Sequence, residues 1–126
     1  LRILWRKKAM YGEDMSKVLN SSKISLNILR KQNKSSHNMR TFEAPACGAF
    51  VLAEKSDEQL EFFEEDKEAV YFSSPKELRE KVVYYLKHEE ERKNIAQAGY
   101  QRCFKSGYSY LDRAKKILNV YEKLSG

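Results

Sequence analysis

A short polar segment, residues 35–43, carries the side chains of this sequence that are best suited to bind a ligand. Serine hydroxyls, a histidine and an asparagine come first, and Arg40 adds a guanidinium that can hold phosphate oxygens in bidentate fashion. Glu43 lies about one turn into a predicted helix, where its carboxylate can accept hydrogen bonds from hydroxyl groups beside that phosphate. A sugar nucleotide offers both groups. The candidate binding residues are Asn27, Ser35, Ser36, His37, Asn38, Arg40 and Glu43.

A strand, a loop and a short helix are predicted to position this segment. Residues 23–29 alternate apolar and polar side chains and are predicted to form a strand that leads into the polar loop. Pro45 has no N–H group and is tolerated only near a helix start, which predicts Thr41 as the N-cap and Gly48 as the helix end. The free N–H groups of that helix start would point toward a phosphate. Residues 49–53 then form a buried strand.

The rest of the chain alternates predicted helices with strands. A helix-start signature lies at residues 74–77: Ser74 is the predicted N-cap, Pro75 follows at the first helical position, and Glu77 supplies the carboxylate of a capping box. Apolar residues in 109–124 recur at helical spacing and are predicted to face the core. This alternation predicts an α/β, Rossmann-like fold around a mostly parallel sheet, with a fourth strand if residues 2–5 join it. The remaining predicted elements are helices at 15–20, 58–64, 75–88 and 89–104 and a strand at 68–72.

The segment that follows the polar loop also resembles a known motif. Glu43-Ala44-Pro45-Ala46-Cys47-Gly48 is similar to the Glu-Ala-x-Ala-x-Gly motif of retaining glycosyltransferases with two Rossmann domains, the GT-B architecture. The wider similarity runs from residue 11 to residue 124 and is greatest to the CgeB-like branch, the spore maturation proteins. The other segments that match in order are Lys23-Ile24-Ser25-Leu26-Asn27, Arg40-Thr41-Phe42, Tyr84-Tyr85-Leu86-Lys87-His88, Arg92 and Ala98-Gly99.

This resemblance implies a function for the whole chain. Residues 1–126 would form one domain, part of the C-terminal, donor-binding domain of a glycosyltransferase whose N-terminal, acceptor-binding domain is missing. The implied donor is a nucleotide-diphospho-sugar, with transfer that retains configuration, and Glu43 would hold the donor's ribose hydroxyls. The related enzymes have a further glutamate eight positions earlier, but Ser35 stands there in this chain, so no catalytic residue is assigned. Those enzymes need no bound metal, so neither a metal nor another cofactor is predicted, and the fragment alone is expected to be inactive.

The distribution of charge suits an anionic partner. Residues 1–42 hold ten basic and two acidic side chains, a net charge of +8, while residues 54–68 hold eight acidic and two basic ones, a net charge of −6. A basic first third can attract nucleic acid, an anionic membrane surface or a phosphorylated small molecule. A nucleic-acid-binding module that uses residues 2–34 is therefore one alternative. Only two aromatic residues, Trp5 and Tyr11, lie among these basic side chains, and most Tyr and Phe residues lie later in the chain, so no nucleic-acid partner is predicted.

Two further alternatives remain open from the sequence. A flavodoxin-like signalling domain, such as a response regulator, would need an acidic pocket at a strand end, and none is evident. A fragment without independent ligand is the other alternative, because the missing segments would supply half of the cleft. Such a truncated sheet would expose an edge strand and an apolar face, which favours self-association.

Composition and cysteine content suggest a location. Cys47 and Cys103 lack metal-ligand spacing, and although a disulfide between them stays open, the composition is typical of a cytosolic protein. The longest apolar run, 49–53, is too short to span a bilayer, and no secretion signal is evident. We therefore predict a cytoplasmic protein. An alternative is a cytoplasmic protein that also binds the membrane surface peripherally, through its basic first third.

Overall fold

Three parallel strands form the centre of the fold, and helices cover them. The computed structural model describes residues 9–126. The strands are β1 (Ser25–Asn27), β2 (Val51–Glu54) and β3 (Val70–Phe72), in the spatial order β1-β2-β3. The helices are α1 (Gly12–Ser21), α2 (Arg40–Ala46), α3 (Asp57–Phe62), α4 (Pro75–Lys87), α5 (Glu89–Lys105) and α6 (Tyr110–Ser125), with a single 3-10 turn at Lys31–Asn33. The predicted α/β, Rossmann-like class with a parallel sheet is confirmed.

The central strand β2 is buried on both faces of the sheet, which explains its uninterrupted apolar sequence. Successive side chains of a strand point to opposite faces, so they divide between two core clusters. One cluster contains Ala44, Val51, Ala53, Phe63, Tyr71 and Cys103. The other contains Phe50, Leu52, Val70, Phe72, Tyr85 and Ile95.

The three strands predicted within the described residues all exist but are shorter than their apolar segments. The strands β1, β2 and β3 have three, four and three residues and correspond to the predicted segments 23–29, 49–53 and 68–72. Strand β2 ends one residue later than predicted. The length of each strand is limited to the residues that pair with a neighbouring strand: Ser25 lies opposite Val51, and Leu52 lies opposite Val70. The further strand predicted at residues 2–5 lies outside the described residues.

The prediction that Thr41 is the N-cap of α2 is wrong. Met39 already has helical backbone angles, with φ −59° and ψ −34°. Asn38 is the residue that closes this end, because its side-chain oxygen accepts a hydrogen bond from the Thr41 N–H at 3.3 Å. In return the Thr41 hydroxyl accepts from the Asn38 N–H at 3.3 Å. These two hydrogen bonds close the turn that begins just before the N-cap, which is Met39, and Pro45 lies inside the helix rather than in its first turn.

The prediction that the apolar stripe of α6 faces the core is also wrong. The side chains of Tyr110, Ile117 and Leu124 are 70%, 69% and 82% exposed, and α6 has no buried residue. The helix itself is present as predicted, but α6 packs to no large extent against any other described element. The stripe consists of Tyr110, Ala114, Ile117, Tyr121 and Leu124.

Helix α5 packs closely against the loop that precedes β3. A Cβ atom placed on Gly99 would lie 2.5 Å from the backbone oxygen of Glu68, so only glycine fits at this position. Because α5 also packs against α2 and α4, this close approach fixes one side of the domain. None of the helices in residues 9–126 has the length and apolar character needed to cross a membrane.

Candidate functional site

A buried hydrogen-bond network holds the turn that leads into α2. The Asn27 side chain at the end of β1 is 2% exposed; its amide nitrogen donates to the Thr41 hydroxyl at 3.4 Å, and its oxygen accepts from the Asn38 amide at 2.8 Å. The Thr41 hydroxyl in turn donates to the Gln59 side chain of α3 at 3.2 Å. Asn27 and Asn38, both candidate ligands, are thus brought together and fix the start of α2.

Two other candidate residues, Ser36 and His37, lie against α3. The His37 ring contacts the edges of Phe42 and Phe62, with centroid distances of 5.3 and 5.1 Å. Its Nδ1 lies 2.9 Å from a carboxylate oxygen of Glu58. Hydrogen bonds from Ser36 and then from His37 lower the pKa of the Glu58 carboxyl. The Glu58 carboxylate therefore lies against both candidate residues, which fixes the polar loop against α3.

The three remaining candidates, Ser35, Arg40 and Glu43, have side chains that are free to bind a ligand. Ser35 and Arg40 are exposed, and Glu43 is half-buried. Within residues 9–126, neither the Arg40 guanidinium nor the Glu43 carboxylate makes an ion pair or a hydrogen bond. A half-buried carboxylate without a protein partner is suited to accept hydrogen bonds from a bound molecule.

Glu43 lines a cavity of about 570 Å³ between α2 and the turn that joins α5 to α6. This volume lies in the range of small-molecule sites, about 300–1,000 Å³. Half-buried Phe42 and Tyr108 line the cavity, and the Tyr108 hydroxyl donates to the Phe62 carbonyl at 3.0 Å. The large exposed apolar side chains that line it are Met39, Phe104 and Tyr110.

Arg113 contributes a cation to the same cavity. Its guanidinium carbon lies 5.1 Å from the centroid of the Phe42 ring, a cation–π contact. The start of α6 holds it there: Ser109 and Asp112 form a capping box, and hydrogen bonding by Ser109 lowers the pKa of the Asp112 carboxyl. The cavity therefore combines aromatic walls with two carboxylates, those of Glu43 and Asp112, and one guanidinium.

Sequence reasoning did not single out Arg113 or Tyr108. The one available signal was Ser109 three residues before Asp112, which predicts a helix start but does not show that it lies beside α2. Cys103 also lines the cavity; it is a free thiol, and burial raises its pKa to about 11. Cys47 is free as well, which resolves the open question of a disulfide. In the described part of the chain, no three His, Cys, Asp or Glu side chains are grouped so that they could hold a metal ion.

The fold and the cavity define a class of protein: an α/β domain with a parallel sheet and a cavity beside the helix that follows β1. Within that class, the chain belongs to the glycosyl transferase-like family, whose model matches residues 4–119. Neither the curated proteins nor the solved structures contain a significant match. The resemblance to glycosyltransferases is thereby confirmed at the level of the family, and glycosyl transfer requires a sugar donor and an acceptor.

Proposed function

We propose that this chain is the donor-binding part of a retaining GT-B glycosyltransferase of the CgeB-like branch, and that it binds a nucleotide-diphospho-sugar. The observation that carries the proposal is the position of Glu43. Its carboxylate lines an open cavity and has no partner among the described residues, while the turn before it is fixed by hydrogen bonds. Membership in the glycosyl transferase-like family supports the same reading.

In this proposal the candidate residues divide the donor between them. Glu43 accepts hydrogen bonds from the ribose hydroxyls, and Arg40 and Ser35 contact the diphosphate. Ser36, His37 and Asn38 hold the loop in the shape that the diphosphate requires, because their side chains already contact Glu58 or Asn27. Asn27 contributes indirectly, because its side chain accepts a hydrogen bond from Asn38 and so positions that residue.

The chemistry then depends on positioning and on charge. The departing diphosphate gains negative charge in the transition state. The Arg40 guanidinium therefore stabilises the transition state more strongly than the ground state. No side chain is assigned as a nucleophile or a base, and Ser35 occupies the place where related enzymes carry a second glutamate. The acceptor would be bound by a further domain of the parent enzyme.

Isothermal titration with UDP, GDP and dTDP tests the proposal. We expect one of the three to bind, and Glu43→Gln to weaken that binding by roughly tenfold or more, since hydrogen bonds to a charged group contribute about 1.5–3 kcal/mol. Glu61→Gln is the matched control, because Glu61 is an exposed carboxylate on α3 with the same charge. The proposal fails if a folded chain binds none of the three, or if both variants bind equally well.

A further inference from the structure

We infer that the cavity between α2 and the α5–α6 turn receives the nucleoside half of the donor, with its base against Tyr110 and Phe104 and its ribose at Glu43. This inference rests on the proposed function. It adds the position of the base and assigns binding roles to Phe104, Tyr110 and Arg113, which lie about 60 to 70 residues away from Glu43 in the sequence.

The aromatic character of the cavity favours a planar ligand. Tyr110 and Phe104 line it and are 70% and 66% exposed, although aromatic rings normally bury most of their surface. The Phe104 ring is held by a second ring, Tyr100, at a centroid distance of 4.8 Å. Every nucleobase has two flat faces, and these stack on aromatic rings regardless of which base is present. The exposed rings would lose contact with water when a base binds.

The charges exclude a purely apolar ligand. An apolar molecule would desolvate the half-buried Glu43 carboxylate and the Arg113 guanidinium without offering either a partner, which is unfavourable. A nucleoside offers both kinds of partner, because ribose hydroxyls donate to a carboxylate and base oxygens accept from a guanidinium. Arg113 suits this function since Phe42 already holds its guanidinium, so little side-chain freedom is lost on binding.

The test compares nucleoside diphosphates with inorganic pyrophosphate, which lacks the base and the ribose. The full chain and its Tyr110→Ala and Arg113→Gln variants are titrated with UDP, GDP, dTDP and pyrophosphate. Tyr121→Ala is the matched control, because Tyr121 lies on the same helix and is 67% exposed but does not line the cavity. Both tyrosines are exposed, so neither substitution removes a core contact, and circular dichroism verifies the fold.

We expect Tyr110→Ala to weaken binding of the preferred nucleoside diphosphate about tenfold, within the range for base–aromatic stacking, and Arg113→Gln to weaken it as well. Pyrophosphate binding should be unchanged by Tyr110→Ala, and Tyr121→Ala should bind as the wild type does. Nucleotide binding that depends on Glu43 but not on Tyr110 or Arg113 overturns this inference and leaves the proposed function intact. Absence of nucleotide binding by the wild-type chain overturns both.

Discussion

Asn38 and Thr41 hold each other through two hydrogen bonds, each 3.3 Å long, that join the side chain of one residue to the backbone N–H of the other. The Thr41 hydroxyl has two further partners, the amide nitrogen of Asn27 and the side-chain oxygen of Gln59. One buried hydroxyl thus joins β1, α2 and α3. The stability of the turn that carries the candidate site depends on it.

Thr41→Val should destabilise the protein by about 1–3 kcal/mol, because the variant leaves buried polar groups of Asn27 and Gln59 without a partner. Thr41→Ser keeps the hydroxyl and loses only a methyl group, which costs about 0.8 kcal/mol. Urea unfolding followed by far-UV circular dichroism measures both. A valine variant as stable as the serine variant would show that the network contributes little.

Gly99→Ala should destabilise the fold although alanine favours helices more than glycine does. The added methyl group would lie 2.5 Å from the Glu68 backbone oxygen, and overpacking of this kind costs about 1–3 kcal/mol. The gain in helix propensity, about 1 kcal/mol, offsets only part of this. Gln97→Ala, an exposed position of the same helix, is the control and should change stability by less than about 0.5 kcal/mol in thermal unfolding.

Glu77 should make stability depend on pH in the acid range. The Ser73 N–H donates to its carboxylate at 2.8 Å and Lys81 lies 2.9 Å away, and these contacts lower the pKa of Glu77 from its ordinary 4.5. A lowered pKa stabilises the folded state above pH 4.5, and this stabilisation is lost as the pH falls through the folded-state pKa.

Glu77→Gln should therefore be less stable than the wild type at pH 7, and the difference should shrink as the pH is lowered below 4.5. Denaturant midpoints measured from neutral to acid pH give the comparison. Glu80→Gln is the control, since Glu80 is exposed on the same helix and makes no hydrogen bond or ion pair in the described part of the chain. Parallel pH curves for wild type and Glu77→Gln would contradict the expectation.

The part of the α6 stripe that follows Tyr110, namely Ala114, Ile117, Tyr121 and Leu124, should bring two copies of the chain together. Its side chains form a continuous exposed surface, and such surfaces favour association because pairing removes them from water. Sedimentation velocity at increasing concentration should show a dimer, and Ile117→Gln should shift it toward the monomer. Asn119→Ala, on the opposite side of α6, should leave the dimer unchanged. A wild-type chain that stays monomeric at all concentrations would exclude this interface.

Local signals in the sequence were enough to predict a helix start where only one residue could serve as the N-cap. The Ser74 hydroxyl accepts from the Glu77 N–H at 3.2 Å, as the signature predicted, and α4 begins at Pro75. The signal failed at α2 because Asn38 and Thr41 are both good caps, three residues apart, whereas the N-cap is Met39 and Thr41 is engaged in tertiary contacts with α3.

The sequence analysis singled out the polar segment of the candidate site but not its opposite wall. Arg113 reaches Phe42 only because α5 runs back along α2 and Gly107 turns the chain with φ +65°. Periodicity also could not tell that Ile117 is exposed, since an amphipathic helix has the same sequence pattern whether its partner belongs to the same chain or to another.

The network around Asn27 has a consequence for the energetics of binding. Because Asn27, Asn38, Thr41 and Gln59 already fix the turn before α2, the entropy of that turn is lost when the chain folds, not when a ligand arrives. A ligand that enters the cavity meets a rigid wall on the α2 side, so its association needs no slow loop rearrangement there. The rate of capture is then set by diffusion and orientation, while the lifetime of the complex is set by the contacts made inside the cavity.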